Sequence, residues 1–152
     1  MLKLSKLADY ATVLMSAVAR EPVRVHTGVE LAERTHIPPP TVAKLLKLLT
    51  RGGLLESLRG AHGGYRLVRE PGRISVAEVI RALEGPIGVT ECSIHEGHCG
   101  IESLCGTRQG WRLINGAIRQ ALEAVTLDQL AAPQRAKAEV PIHFLTAASA
   151  AR

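Results

Sequence analysis

Apolar residues near the start of the chain recur at the spacing of one helical face: Leu7, Ala11, Leu14, Met15 and Val18, three or four positions apart with Met15 widening the stripe. The pattern predicts a helix over residues 5–20, with Ser5 as its N-cap and Pro22 closing the run. Thr27-Gly28-Val29-Glu30 has the form of a capping box, in which a hydroxyl and a carboxylate satisfy each other's backbone N–H groups. It opens a short helix through Leu31 and Ala32 that stops around Thr35–His36. Pro38, Pro39 and Pro40 follow. Proline is tolerated in a helix's first turn, where its missing N–H costs nothing, so the three serve as a rigid entry to a third helix. That helix turns Val42, Leu45, Leu46 and Leu49 inward, runs to about Arg51 and ends at Gly52-Gly53.

The pattern then changes. Leu54–Leu58 reads as a short strand, Arg59-Gly60-Ala61-His62-Gly63-Gly64 as a glycine-rich turn, and Tyr65–Val68 as the return strand. Ser75-Val76-Ala77-Glu78 is a second capping box, starting a helix through Val79, Ile80 and Leu83 that Gly85-Pro86 ends. The longest predicted helix covers 107–125. Trp111, Ile114, Ile118, Ala121, Leu122 and Val125 line one side of it, and Leu113 and Ala117 broaden that side. Thr126–Leu130 suggests a short last helix. Beyond it an Ala-rich tail with scattered charges has no clear period and reads as poorly ordered. The expected fold is mainly α with a small β wing. A winged helix-turn-helix domain spans 1–84, a cysteine-bearing loop 85–106, a dimerisation helix and short terminal helix 107–131, and a tail 132–152.

A helix pair followed by a β-hairpin suits DNA. The outward face of the third helix carries Thr41, Lys44 and Lys47, the face that enters the major groove in such motifs. The hairpin tip carries Arg59 and His62, with Arg66 just beyond. Glycines let such a tip approach a sugar-phosphate backbone, and an Arg there can enter a narrow minor groove. Charge points the same way. The chain of 152 residues has a net charge of +5, and residues 1–73 hold 12 Lys/Arg against 6 Asp/Glu. The excess positive charge therefore lies in the half with the helix-turn-helix, where phosphate contacts would use it. A polar basic surface without a ligand would look similar, so the hairpin carries the distinction.

Composition sets further bounds. Aromatics are 3% of a chain that is 46% hydrophobic, so the core must be aliphatic. Charges within the first ten residues argue against a secretory signal, and no apolar run approaches the roughly 20 residues needed to span a bilayer. The expectation is a cytoplasmic protein with no membrane partner. No Ser/His/Asp arrangement, phosphate loop or dinucleotide fingerprint is present, so neither an enzyme nor a small-molecule substrate is expected.

All three cysteines, Cys92, Cys99 and Cys105, lie in the loop before the long helix, with Gly97, Gly100 and Gly106 among them. Thiols so close on a glycine-rich loop can converge on one centre, and thiolates, as soft ligands, suit an iron–sulfur cluster, zinc or copper(I). A disulfide would leave one cysteine over and fits a reducing compartment poorly. Such a centre wants a fourth ligand. His95, His98 and Glu102 are local candidates, and Asp9 and the remaining histidines are distant ones; spacing alone does not choose among them.

The opening LKLSKLADYATVLM, the hairpin RGAHGGYRL, the helix SVAEVIRALEG and three cysteines before a long helix together resemble the Rrf-type family of winged-helix regulators over about residues 1–131. The segment SKLADYATVLM is most similar to regulators of the SUF iron–sulfur assembly operon. The resemblance implies a homodimer paired through the long helix, with Trp111, Ile114, Ile118 and Val125 at its interface. It also implies an iron–sulfur cluster, 2Fe-2S or 4Fe-4S, on Cys92, Cys99 and Cys105. In the family's iron–sulfur assembly regulators the fourth ligand is a histidine three positions after the third cysteine, where this chain has Arg108. In its nitric-oxide sensors it is an aspartate near the start of the first helix, donated by the partner subunit, and Asp9 falls there. The expected function is a transcription regulator, repressor or activator, that binds a double-stranded DNA operator and senses cluster status to control SUF-type genes. The alternatives are a nitric-oxide or redox-sensing repressor and a zinc-stabilised winged-helix protein with no sensing role.

Overall fold

A computed structural model describes residues 3–94, 97, 99–101 and 104–132. The expected tail over 132–152 lies outside these residues except for Ala132, and His95, His98 and Glu102 lie outside them altogether. The elements run α1 (Lys6–Ala19), α2 (Gly28–Thr35), α3 (Pro39–Arg51), β1 (Leu55–Leu58), β2 (Gly64–Leu67), a 3-10 turn (Pro71–Arg73), α4 (Val76–Glu84), α5 (Glu91–Ile94), α6 (Arg108–Ala124) and α7 (Leu127–Ala131). The fold is mainly helical with one two-stranded antiparallel sheet.

Local chemistry explains the ends of these helices. The Ser5 hydroxyl accepts the Ala8 N–H at 3.1 Å and starts α1. The Ser75–Glu78 box forms in full: Glu78 N–H donates to the Ser75 hydroxyl at 3.2 Å and Ser75 N–H to the Glu78 carboxylate at 2.9 Å. Burial pushes the Glu78 carboxyl up, but the Ser75 N–H and Arg69, at 2.7 Å, outweigh it and leave the group below its ordinary value. Its contribution to stability is therefore present above the ordinary carboxylate range and is lost on acidification. The box expected at Thr27 forms only in half. Thr27 accepts the Glu30 N–H at 3.2 Å, but the Glu30 carboxylate pairs with Arg24 at 2.8 Å and Arg34 at 3.5 Å. Two guanidiniums nearby outcompete one backbone N–H for the same oxygens.

Helix α2 ends on His36 in the left-handed region at φ 56°, and Ile37 is buried just after the turn. Helix α3 ends where Gly53 adopts φ 72°, a conformation that glycine takes without a Cβ penalty. Both strands lie one residue from their expected places, β1 beginning at Leu55 and β2 at Gly64. The register pairs Leu55 with Leu67, Glu56 with Arg66, Ser57 with Tyr65 and Leu58 with Gly64. This buries Leu55 and Leu67 on one face and turns the Glu56–Arg66 pair to the other.

The main core joins Leu14, Met15 and Val18 of α1 to Leu31, Leu45, Leu46, Leu49, Leu54, Leu55, Ile74, Val79 and Leu127. Each such side chain contributes about 1.5–3 kcal/mol by leaving water. A second cluster holds Ala8, Val76 and Ile80, against which Leu122 of α6 and Val125 just after it pack. The chain leaving α6 pairs with the chain entering α4: Val76 N–H donates to Val125 O and Leu127 N–H to Ile74 O, both at 2.9 Å. The C-terminal end of α6 is thereby fastened to the chain entering α4, and Ser16 of α1 donates to Leu130 O at 3.1 Å.

The hairpin is fastened as well. His26 and Tyr65 exchange two backbone hydrogen bonds of 2.8 Å, so the segment before α2 acts as a third short strand beside β2. A Cβ on Gly64 would stand 2.5 Å from His26 O and 2.9 Å from Val25 Cγ1. We expect Gly64→Ala to destabilise the protein by about 1–3 kcal/mol, the usual range for a forced steric insertion. Urea unfolding at matched m-value checks this, and a midpoint equal to wild type would show that the hairpin does not need this approach.

Candidate functional site

Helix α3 is built to be presented. Its inward residues Val42, Leu45, Leu46 and Leu49 are all buried. Lys44 and Lys47 are exposed on the other side, and Thr41 is half-buried. Its N-terminus has no orphan donors. Pro39 and Pro40 have no N–H, and the N–H groups of Thr41 and Val42 both donate to Pro38 O, at 2.9 and 3.0 Å. Helix starts commonly cradle phosphates with free N–H groups, but this one has none to offer. Contact from its front end must come from side chains.

Arg59 and His62 are exposed at the hairpin tip. Arg66 is engaged: its Nε donates to the Glu56 carboxylate across the sheet. That pairing was not legible from single residues, because it depends on the strand register. Among the described residues Lys44, Lys47 and Arg59 have no ion-pair partner, whereas Arg24, Arg34 and Arg69 are paired with carboxylates at 2.7 to 3.1 Å. The outward face of α3 and the hairpin tip therefore both carry charge that no carboxylate neutralises, as do Lys3, Lys6, Arg20, Arg51 and Arg73 elsewhere on the described surface.

Behind the hairpin, His26 is fully buried. Its Nε2 lies 3.1 Å from Glu21 O and its Nδ1 3.3 Å from Arg34 Nη1. No sequence signal marked it. A lone His between Val25 and Thr27 gives no periodicity, and its role is to hold the segment that backs β2.

The cysteine loop follows α4 in the chain, and its short helix α5 packs on α6. Cys92 is in α5, Cys99 is in a bend, and Cys105 stands just before α6; all three thiols are free and half-buried. Cys92 Sγ lies 3.3 Å from Thr90 Oγ1, and Cys105 Sγ 3.3 Å from Thr107 Oγ1. The Thr107 hydroxyl, with the Thr107 and Arg108 backbone N–H groups, lowers the Cys105 thiol below its ordinary value. Among the described residues no three His, Cys, Asp or Glu side chains stand close enough together to hold one metal ion. The thiolate set suits a soft metal or cluster, but this chain alone does not gather it. Asp9 is exposed on the first turn of α1, with its own N–H bonded to Ser5 O at 3.1 Å.

The expected apolar stripe of α6 divides in two. Leu122 and Val125 pack on the chain's own second cluster and Ile118 is half-buried. Trp111, Leu113 and Ile114 remain 38%, 73% and 45% exposed. Ile101 and Leu104 of the cysteine loop are exposed nearby in sequence. One residue escaped the sequence reading: Asn115, buried at 8% exposure. Its signal was available, since a polar residue four positions after Trp111 and three before Ile118 interrupts an otherwise apolar stripe.

The profile of the Rrf2 family, described as an iron-dependent transcriptional regulator, matches residues 4–133. The chain is 34% identical over 133 residues to the HTH-type transcriptional regulator IscR of Xenorhabdus nematophila, covering 85% of this chain and 79% of that protein. It is 30% identical over 131 residues to the HTH-type transcriptional regulator CymR of Bacillus subtilis, covering 86% and 90%. Among solved structures, CymR of B. subtilis, described as its global cysteine regulator, superposes with a TM-score of 0.69 at 31% identity, over 86% of this chain and 97% of that one. T. potens IscR gives 0.66 at 29% identity, over 85% of each chain. Among the described residues no helix is long and apolar enough to cross a membrane.

Proposed function

The chain belongs to the Rrf2 family of DNA-binding, winged-helix transcriptional regulators, and we propose that within it this protein senses iron–sulfur cluster status and controls SUF-type cluster assembly genes. One observation carries the proposal: all three thiols of the chain lie on one short segment, anchored at one end by α4 and at the other by α6. In this reading the segment draws Cys92, Cys99 and Cys105, which stand apart in the cluster-free chain, together as the cluster binds, and Asp9 of a second copy supplies the fourth ligand. When bound, the cluster supplies a redox-active centre whose presence depends on iron and sulfide supply. The protein's own part is mechanical. Helix α1, which bears Asp9, packs on α4 and α7 and shares the main core with α3, so a pull on Asp9 is transmitted to the recognition helix.

On DNA, Thr41 and Lys44 reach base edges in the major groove and Lys47 contacts phosphate. Arg59 enters the minor groove beside His62, and Arg66 is held ready by Glu56. Arg59→Ala is expected to weaken binding to a duplex selected from random sequence by roughly 1–3 kcal/mol if the contact is to a base edge. Unchanged binding across a salt titration would remove Arg59 from the interface.

Anaerobic purification followed by iron and sulfide analysis and absorption spectroscopy tests the cluster itself. A colourless protein without sulfide would end the proposal. A second reading, a redox regulator acting through its thiols, is favoured by the lowered Cys105 thiol, because the thiolate is the form that is oxidised. The same spectra separate the two.

A further inference from the structure

We infer that Asn115 is a positioning residue that clamps the segment leading into Cys92 onto the long helix. The inference rests on the reading of this loop as the sensor. Asn115 is the buried polar side chain of α6. Its Oδ1 accepts the Val89 N–H at 3.1 Å and its Nδ2 donates to Ile87 O at 3.4 Å. One side-chain amide thus satisfies a backbone donor and a backbone acceptor two residues apart, much as a neighbouring strand would.

The residue between these two groups is fastened independently. A Cβ on Gly88 would run into the Ile94 side chain, with Cδ1 at 2.6 Å. Gly88 thereby makes room for α5 to fold back over the clamped segment. From there a short relay reaches the thiol. Thr90 Oγ1 lies 2.7 Å from Ser93 Oγ and 3.3 Å from Cys92 Sγ, and Ser93 N–H donates to Thr90 O at 2.9 Å. Residues 87 to 94 therefore form one unit held on α6, and Cys92 moves with it. Cys105 is not tied to Asn115 in this way; its hydroxyl partner is Thr107 at the start of α6.

The chemistry restricts what can replace Asn115. An apolar side chain of the same size leaves the Val89 N–H and the Ile87 carbonyl without their partner. Aspartate keeps the acceptor for Val89 but sets a carboxylate against the Ile87 carbonyl. Of these three side chains only the amide supplies both a donor and an acceptor.

The test needs no cluster. In a Cys99→Ser/Cys105→Ser background, Cys92 is the one thiol, and its rate of alkylation by iodoacetamide in the apo protein reads its exposure. Adding Asn115→Leu should raise that rate about tenfold, the factor that corresponds to losing one or two net hydrogen bonds. Asn115→Asp should give a smaller rise and answers the question if the Leu variant fails to fold. In the matching Cys92→Ser/Cys99→Ser background, the rate at Cys105 should stay unchanged. An unchanged Cys92 rate, or an equal rise at both thiols, overturns the clamp, since general loosening would expose them alike. A wild type that takes up no cluster while Cys92 still responds to Asn115→Leu would defeat the cluster proposal and leave the clamp standing.

Discussion

Replacing any one of Cys92, Cys99 or Cys105 by serine should give a protein that, purified without oxygen, lacks the cluster absorption and binds its operator equally with and without added iron and sulfide. A hydroxyl is a far poorer ligand for iron than a thiolate, and with only three thiols in the chain no other cysteine can substitute. The fold should tolerate the change, because none of the three belongs to either buried cluster. Asp9→Ala is the sharper variant. Asp9 is exposed, and its loss removes no more than the favourable placing of an acid near a helix N-terminus, about 0.3–1 kcal/mol. We expect a stable dimer that holds its cluster poorly or in altered form and whose DNA affinity no longer follows cluster status. An Asp9→Ala protein with the wild-type spectrum, cluster stability and holo-to-apo difference in binding would move the fourth ligand to His95, His98 or Glu102. It would also end the route from cluster to α3 through α1, since the two states must differ in DNA affinity for a cluster to regulate anything.

Ile114→Arg should convert the protein from dimer to monomer at micromolar concentration, read by sedimentation, and weaken operator binding on the order of a hundredfold, the lower range for losing a linked second site. If the protein pairs as proposed, the exposed half of α6 is the part left free for it. The C-terminal half of α6 is committed to its own chain through Leu122 and Val125. The N-terminal half leaves Trp111, Leu113 and Ile114 open to solvent, an apolar surface of the kind that marks an interaction site. A guanidinium there would have to be buried against an apolar face with no counter-charge, which opposes association. Two-fold pairing also calls for a near-palindromic operator. A wild-type protein that sediments as a monomer under the same conditions would sink the interface, and Val125 should then be read as a core residue only.

Most of the fold was legible in the sequence because its signals are local. The apolar period of α1 and α3, the hydroxyl caps at Ser5 and Ser75, the prolines before α3 and the glycines after it each act within a few residues, and α1 to α4, α6, α7 and both strands lie within a residue or two of their expected places; α5, inside the expected cysteine loop, and the 3-10 turn at Pro71–Arg73 are too short to show a period and were not expected. An error arose where one local rule met another. Glu30 has the spacing of a capping box but is taken by Arg34, one turn on in the same helix, and by Arg24, in the segment leading into it.

By itself the sequence determined the order and type of the longer helices and of the hairpin, the excess of positive charge in the first half and the gathering of every thiol into one segment, because helical period, composition and spacing are properties of the chain alone. Tertiary structure decided which groups meet. The strand register placed Glu56 against Arg66 and left Arg59 unpaired. The return of the chain after α6 along Ile74–Val76 divided one apolar stripe into a packed half and an open half. The fold also turned Asn115, a polar interruption in that stripe, onto the backbone ahead of Cys92. A side chain's partner is set by where the backbone returns in space, and no window of neighbouring residues contains that information.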